Sequence, residues 1–135
     1  MWLTFPRNQQ TAMIYVRACQ NAHVRLLNGG QFSTVVYELE LGSASNMKTS
    51  LIKDGFVVAE ADTPDILNCL QDRLFYIGWS KGYIEIGQGS QNGRRILSYA
   101  EPSGQVLGPD DIHGLSVFTP VDVFGEWGIP RGGCK

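Results

Sequence analysis

Two side chains that can each engage neighbouring hydroxyl groups stand two residues apart in His23-Val24-Arg25. In an extended segment the imidazole and the guanidinium share one sheet face, and Val24 takes the other. Asn46 and Lys48 repeat that spacing. Asn92, Arg94, Tyr99 and Glu101 bring an amide, a second guanidinium, a phenol and a carboxylate into one short stretch, and Trp79 and Trp127 offer aromatic planes. These types suit a sugar. A flat ring packs on its C–H face, while planar polar groups can reach two adjacent hydroxyls at once, as bidentate pairs do elsewhere. The candidate ligand-binding set is His23, Arg25, Asn46, Trp79, Arg94, Glu101 and Trp127. Each has a plainer reading. His23 and Arg25 equally suit the solvated face of a half-buried strand, Arg94-Arg95 a solvated basic pair, and Trp79, after Phe75-Tyr76-Ile77, a core ring; Trp127 carries the same ambiguity.

Catalytic constellations are thin. His23 and His113 are the only histidines, and each sits beside apolar strand residues. No nucleophile elbow and no zinc-ligand spacing occurs. Glu85-Ile86-Gly87-Gln88-Gly89-Ser90 resembles the acidic, glycine-rich turn that approaches a nucleotide-like cofactor. Such a turn needs a following helix, whereas Gln91-Asn92-Gly93-Arg94-Arg95-Ile96-Leu97 reads as a turn into a strand. The expectation is therefore a non-enzyme without a cofactor. Asp110-Asp111 after Gly108-Pro109, joined by Asp122, are the one candidate for calcium. Calcium takes about six to eight oxygens, and paired loop aspartates also occur as a simple solvated turn.

The bulk properties narrow the classes further. The chain has 135 residues, 43% apolar and 18% charged, with 16 glycines and a net charge of −2. The length suits one self-sufficient core, so residues 1–135 are read as one domain. No basic field is available to neutralise a phosphate backbone, which argues against nucleic acid. No apolar run approaches the ~20 residues of a membrane span. MWLTFPRNQQ shows neither a basic n-region nor an apolar h-region. The chain then reads as a mature secreted form with a start methionine, the alternative being a cytosolic protein. Cys19, Cys69 and Cys134 allow at most one internal bridge. Cys19 and Cys69 lie among apolar residues and read as small core residues; Cys134 is either an intermolecular bridge or a free thiol on the tail.

Period-two alternation dominates the chain and requires strands to hold these groups. Strands are expected over Ala12–Ala18 and Ala22–Leu27, joined by a Gln20-Asn21 hairpin, then over Phe32–Leu41 and Met47–Ile52. Asp54-Gly55 is a strong hairpin signal leading into Phe56–Ala59. Thr63-Pro64 followed by Ile66, Leu67 and Leu70 is the one helix candidate. Leu74–Trp79, Tyr83–Ile86, Arg95–Tyr99, His113–Phe118 and Phe124–Ile129 complete about ten strands. The pattern predicts an all-β antiparallel sandwich or jelly roll with at most one short helix.

Several stretches together are similar to one known family. VRACQNAHVRL (16–26), YELELGSASNMKTSLI (37–52), FYIGWSKGYIEIGQG (75–89), then ILSYAEP, GLSVFT and the terminal GEW occur in the order typical of the farnesoic acid O-methyltransferase domain family. The resemblance covers roughly Thr11 to Ile129. Gly42-Ser43-Ala44-Ser45 stands where a double glycine and a tryptophan are usual, and an arginine is usual near Lys53. The family's name implies methyl transfer from S-adenosylmethionine. Its occurrence within larger animal proteins implies instead an adhesive module that contacts other proteins. The residues above favour a third expectation: a lectin-like sandwich with a shallow glycan site, acting multivalently as a homo-oligomer.

Overall fold

A computed structural model describes residues 2–6, 8–30, 32–80, 82–89, 93–102, 107–120 and 123–129. Asn92, Asp122 and Cys134 lie outside the described residues. The described residues form an antiparallel β-sandwich of eleven strands: β1 (Trp2–Thr4), β2 (Thr11–Ala18), β3 (Ala22–Leu27), β4 (Val35–Gly42), β5 (Lys48–Lys53), β6 (Phe56–Asp62), β7 (Arg73–Ser80), β8 (Tyr83–Gln88), β9 (Arg94–Ala100), β10 (Gly114–Phe118) and β11 (Gly125–Gly128). One sheet runs β1-β10-β3-β4-β5-β6 and the other β11-β2-β7-β8-β9.

The alternation sets which side chains meet between the sheets. Val24 and Leu26 of β3, Tyr37, Leu39 and Leu41 of β4, and Leu51 of β5 are buried on the six-stranded side. Ile14 and Val16 of β2, Phe75, Ile77 and Trp79 of β7, and Ile84 and Ile86 of β8 answer them from the other sheet. Each such side chain contributes about 1.5–3 kcal/mol by leaving water. The interleaved residues point outward, and that is how His23, Arg25, Glu38 and Glu40 come to share a surface.

Two connections depart from the sequence expectation. Gln20-Asn21 is not a hairpin: β2 pairs with β7 and β11, β3 with β4 and β10, so this segment carries the chain from one sheet to the other. Asn21 turns it with a positive φ of 55° and donates its backbone N–H to the Gly42 carbonyl at 3.1 Å. The expected helix after Thr63 does not form. Asp65 adopts a left-handed φ of 57°, which breaks helical continuity. The Asp65 and Thr63 N–H groups are donated to the carbonyls of Asn46 and Met47, so their hydrogen bonds go to another segment. Ile66 and Leu67 are buried from a loop.

Among the described residues, helical conformation is confined to short turns. Ser43–Asn46 (α1) contains Ala44, Ser45 and Asn46 at φ of 51°, 62° and 64°, a left-handed turn, and Pro109–Asp111 is a single 3-10 turn. The Asp54-Gly55 hairpin forms as expected between β5 and β6, with φ of 52° and 83° at the two turn residues. Those signs are the ones a type I′ turn requires.

Cys19 and Cys69 are bonded to each other and exposed, which corrects their reading as core thiols. The bridge pins the loop after β6 to the sheet-crossing segment after β2.

Candidate functional site

The outer face of the six-stranded sheet gathers polar groups by register alone. His23 lies opposite Glu40 on β4 and Phe118 on β10; Arg25 lies opposite Glu38 and Ser116. His23 Nδ1 donates to Glu38 Oε2 at 2.9 Å, and its Nε2 is 3.5 Å from Glu40 Oε2. A carboxylate can only accept, so Nδ1 carries the proton. Arg25 Nε donates to Glu38 Oε1 at 3.1 Å. Asn21 Nδ2 donates to Glu40 Oε2 at 3.0 Å and ends the chain of contacts. The imidazole stacks on Phe118, with ring centroids 4.7 Å apart and planes within 10°, and the Arg25 guanidinium lies 4.6 Å from the same ring centre. Both side chains, imidazole and guanidinium, are thus held by an aromatic surface and a carboxylate, and their rotamers are restricted before any ligand arrives.

Beside this network the face sinks into an open hollow of about 490 Å³. Arg25, Glu38 and Asp54 form its polar rim, and Val35, Val36 and Ile52 give it apolar lining. Glu38 therefore belongs both to the network and to the hollow. A carboxylate offers about four lone-pair sites; His23 and Arg25 take two, one on each oxygen. Arg25 keeps its terminal N–H groups, since its bond to Glu38 uses Nε.

The family model described as farnesoic acid O-methyl transferase matches residues 2–108. The chain belongs to that family. No curated protein matches it at a significant level. Among solved structures, a human galectin-16 variant superposes with a TM-score of 0.60 at 11% identity, covering 96% of this chain and 95% of the other. The carbohydrate-binding module CBM66 from Bacillus subtilis gives a TM-score of 0.61 at 13% identity over 94% of this chain and 73% of its own. A prokaryotic lichenase from a mouse hindgut metagenome gives 0.51 at 10% identity, over 94% and 66%. At these identities the likeness is one of fold, shared by binders and an enzyme alike.

Of the seven ligand candidates drawn from the sequence, this family member brings His23 and Arg25 together and disperses the rest. Asn46 sits in the left-handed turn, where its amide clamps Leu67: Nδ2 donates to the Leu67 carbonyl at 2.8 Å and Oδ1 accepts the Leu67 N–H at 3.0 Å. Trp79 is 4% exposed and packs against Phe5 with centroids 5.6 Å apart, so its ring is core rather than platform. Trp127 of β11 pairs with Val16 of β2 and packs against the core from the sheet edge. Arg94 lines a separate cleft of about 170 Å³ with Asp62 and Arg95, where the edge strands β6 and β9 of the two sheets come into contact. Lys48 is 3.5 Å from Glu60.

Glu101 is the clearest correction. Its carboxylate lies between the sheets, receiving Lys53 Nζ at 2.6 Å and the Tyr37 hydroxyl at 2.5 Å. The Lys53 and Glu101 side chains are 9% and 6% exposed, and Lys53 also donates to the Leu107 carbonyl at 2.6 Å. Burial, followed by the hydrogen bond to Glu101, raises the Tyr37 phenol well above its ordinary range. Tyr99 meets Tyr37 edge-on at 6.4 Å. Asp111 is occupied in capping its turn, accepting the Gly108 N–H at 2.8 Å. Among the described residues no group of three or more His, Cys, Asp or Glu is placed to hold a metal ion.

Glu38, Glu40, Asn21 and Phe118 were missed by sequence reasoning. Glu38 and Glu40 show the same spacing of two as His23 and Arg25, but the pairing of β3 with β4 that makes them one site is not written in either segment.

Proposed function

We propose that this chain is a glycan-binding module whose site is the outer face around His23, Arg25 and Glu38. The observation that carries the reading is the pairing of planar, prepositioned polar groups with an apolar-lined hollow on one open surface. The free lone pairs of Glu38 accept from vicinal hydroxyls, the terminal N–H groups of Arg25 donate to them, and Ile52 and Val35 take the C–H face of the ring. The galectin and carbohydrate-binding-module likeness supports the reading at the level of fold.

A shallow site of this kind gives affinities near millimolar, about −4 kcal/mol, so biological binding uses several copies, and the module works as a homo-oligomer. An exposed disulfide between Cys19 and Cys69 supports an oxidising, extracellular setting. The glycine-rich segment in β8 has a packing role that needs no cofactor. A Cβ at Gly87 would come within 2.0 Å of the Tyr76 ring, so the strand requires glycine there. A protein-contact role is the second reading, favoured by Phe56 and Val57, 75% and 55% exposed on the edge strand β6.

The test is a glycan array run with calcium and with chelator, on the native chain and on Arg25→Ala and Glu38→Gln. Selective binding that survives chelation and is lost in both variants supports the reading. A blank array with folded, concentrated protein transfers the assignment to the protein-contact role, and tight binding of S-adenosylmethionine would restore the chemistry of the family's name.

A further inference from the structure

The outer face of the opposite sheet carries a hollow of its own. Gly78 of β7 lies between Thr11 of β2 and Glu85 of β8, and Ser80 lies opposite Tyr83. Since Gly78 and Ser80 alternate with the buried Ile77 and Trp79, these side chains all face outward. The space over Gly78 measures about 220 Å³ and is lined by Gln10, Thr11, Ser80, Tyr83 and Glu85.

Folding does not explain why position 78 is glycine. Its φ is not in the left-handed region, and a Cβ there would meet only ordinary contacts, Glu85 Cγ at 3.5 Å and the Gln10 carbonyl oxygen at 3.9 Å. The contrast with Gly87, where a Cβ would strike Tyr76, is direct. Glycine within a strand weakens it and often marks a bulge, a tight bend or a close approach of a ligand or another backbone; β7 pairs with β2 and β8 across Gly78 without a register shift there. Around the gap stand the groups a sugar needs. The Tyr83 ring is fixed by Arg95, whose Nη1 donates to the phenol oxygen at 3.1 Å. Among the described residues, the Glu85 carboxylate, the Gln10 amide and the Thr11 and Ser80 hydroxyls make no side-chain hydrogen bond and remain available. The volume falls below the roughly 300–1,000 Å³ of sites that enclose drug-sized ligands, which matches one sugar ring rather than an oligosaccharide.

We infer that Gly78, Tyr83 and Glu85 form a second glycan subsite, for a single neutral hexopyranose, on the sheet facing away from the first. Tyr83 supplies the stacking plane, Glu85 accepts from a pair of hydroxyls, and the bare backbone at Gly78 lets the ring settle. The negative charge of Glu85 excludes acidic sugars. The inference rests on the glycan-binding reading for its ligand class and on the opposite sheet for its place. With sites on both faces, one chain can bridge two glycans without a partner subunit.

Amide chemical-shift titration of the full chain with methyl α- and β-glycosides of glucose, galactose and mannose tests it. The expected result is a second group of shifted amides at Thr11 and Gly78–Glu85, separate from those at His23–Arg25, Glu38 and Ile52–Gly55. Gly78→Val, which fills the gap, and Glu85→Gln each weaken the second group about tenfold or more and leave the first within about twofold; Arg25→Ala does the reverse. Shifts confined to the first group, or a second group that saturates unchanged in Gly78→Val and Glu85→Gln, overturn the subsite and leave the first site standing. Shifts in neither group refute the glycan reading as a whole.

Discussion

Glu101 separates a ligand-binding role from a structural one more sharply than any other residue. Replacing it with alanine would leave the Lys53 ammonium, 9% exposed, with only the Leu107 carbonyl as a bonded partner, and would orphan the Tyr37 hydroxyl. Removing one partner of a buried ion pair costs about 3–5 kcal/mol. At an unfolding entropy of about 2.1 cal/mol/K per residue, a chain of this length loses ~0.28 kcal/mol per degree, so the melting temperature of Glu101→Ala should fall by about 10–18 °C. The double variant Lys53→Met/Glu101→Leu replaces the pair with apolar groups of similar length and should recover most of that loss. Thermal unfolding followed by tryptophan fluorescence measures both, with glycan titration well below the midpoint as the companion assay. The reasoning is refuted if Glu101→Ala keeps native stability, and a loss of glycan binding at unchanged stability would return Glu101 to the ligand surface.

Three further outcomes follow from the same structure. Cys19→Ser/Cys69→Ser opens a loop spanning 50 positions of sequence separation; chain entropy then predicts a loss of about 4 kcal/mol, read as the difference in urea midpoint between the native chain and the variant multiplied by the slope m. Tyr37, whose phenol is raised in the folded state, contributes stability that is complete below the unfolded value near pH 10 and declines above it, because the unfolded chain releases that proton first. Stability of the native protein should therefore fall by up to about 1.4 kcal/mol per pH unit above pH 10 from this one group, and Tyr37→Phe should flatten the slope by one proton. Gly87→Ala should cost about 1–3 kcal/mol by driving a methyl into the Tyr76 ring, and in a Tyr76→Ala/Gly87→Ala cycle followed by thermal unfolding the double loss should be smaller than the sum of the two single losses.

The strands were legible because their information is local. Ala22–Leu27 alternates in the chain as it does in the sheet, and Asp54-Gly55 specifies its turn through the φ values its two residues accept. What was not legible depends on groups far apart in sequence. The segment after Thr63 carries a helix-like start and apolar spacing, yet its hydrogen bonds go to Asn46 and Met47, and Cys69 is tied back to Cys19. Gln20-Asn21 has hairpin composition, but a short polar link serves equally well to cross between sheets, and only the pairing of β2 with β7 decides which.

The site divides along the same line. A spacing of two puts His23 and Arg25 on one face, so that pair could be read from the chain. Whether a polar residue faces solvent or the interior depends on its own strand's register. Lys53 stands two positions after the buried Leu51 on β5, so its side chain points inward and meets Glu101 from the other sheet. A lysine and a glutamate 48 positions apart, each unremarkable in sequence, thus become a buried pair. Glu38 goes the other way: it looks like the polar half of an amphipathic strand, and becomes the residue joining the imidazole, the guanidinium and the hollow because β3 and β4 are neighbours. The chemistry of the surface is thus fixed less by which polar residues the chain contains than by which strands its core packing makes adjacent. That also explains how both outward faces can carry a polar hollow over one shared apolar core.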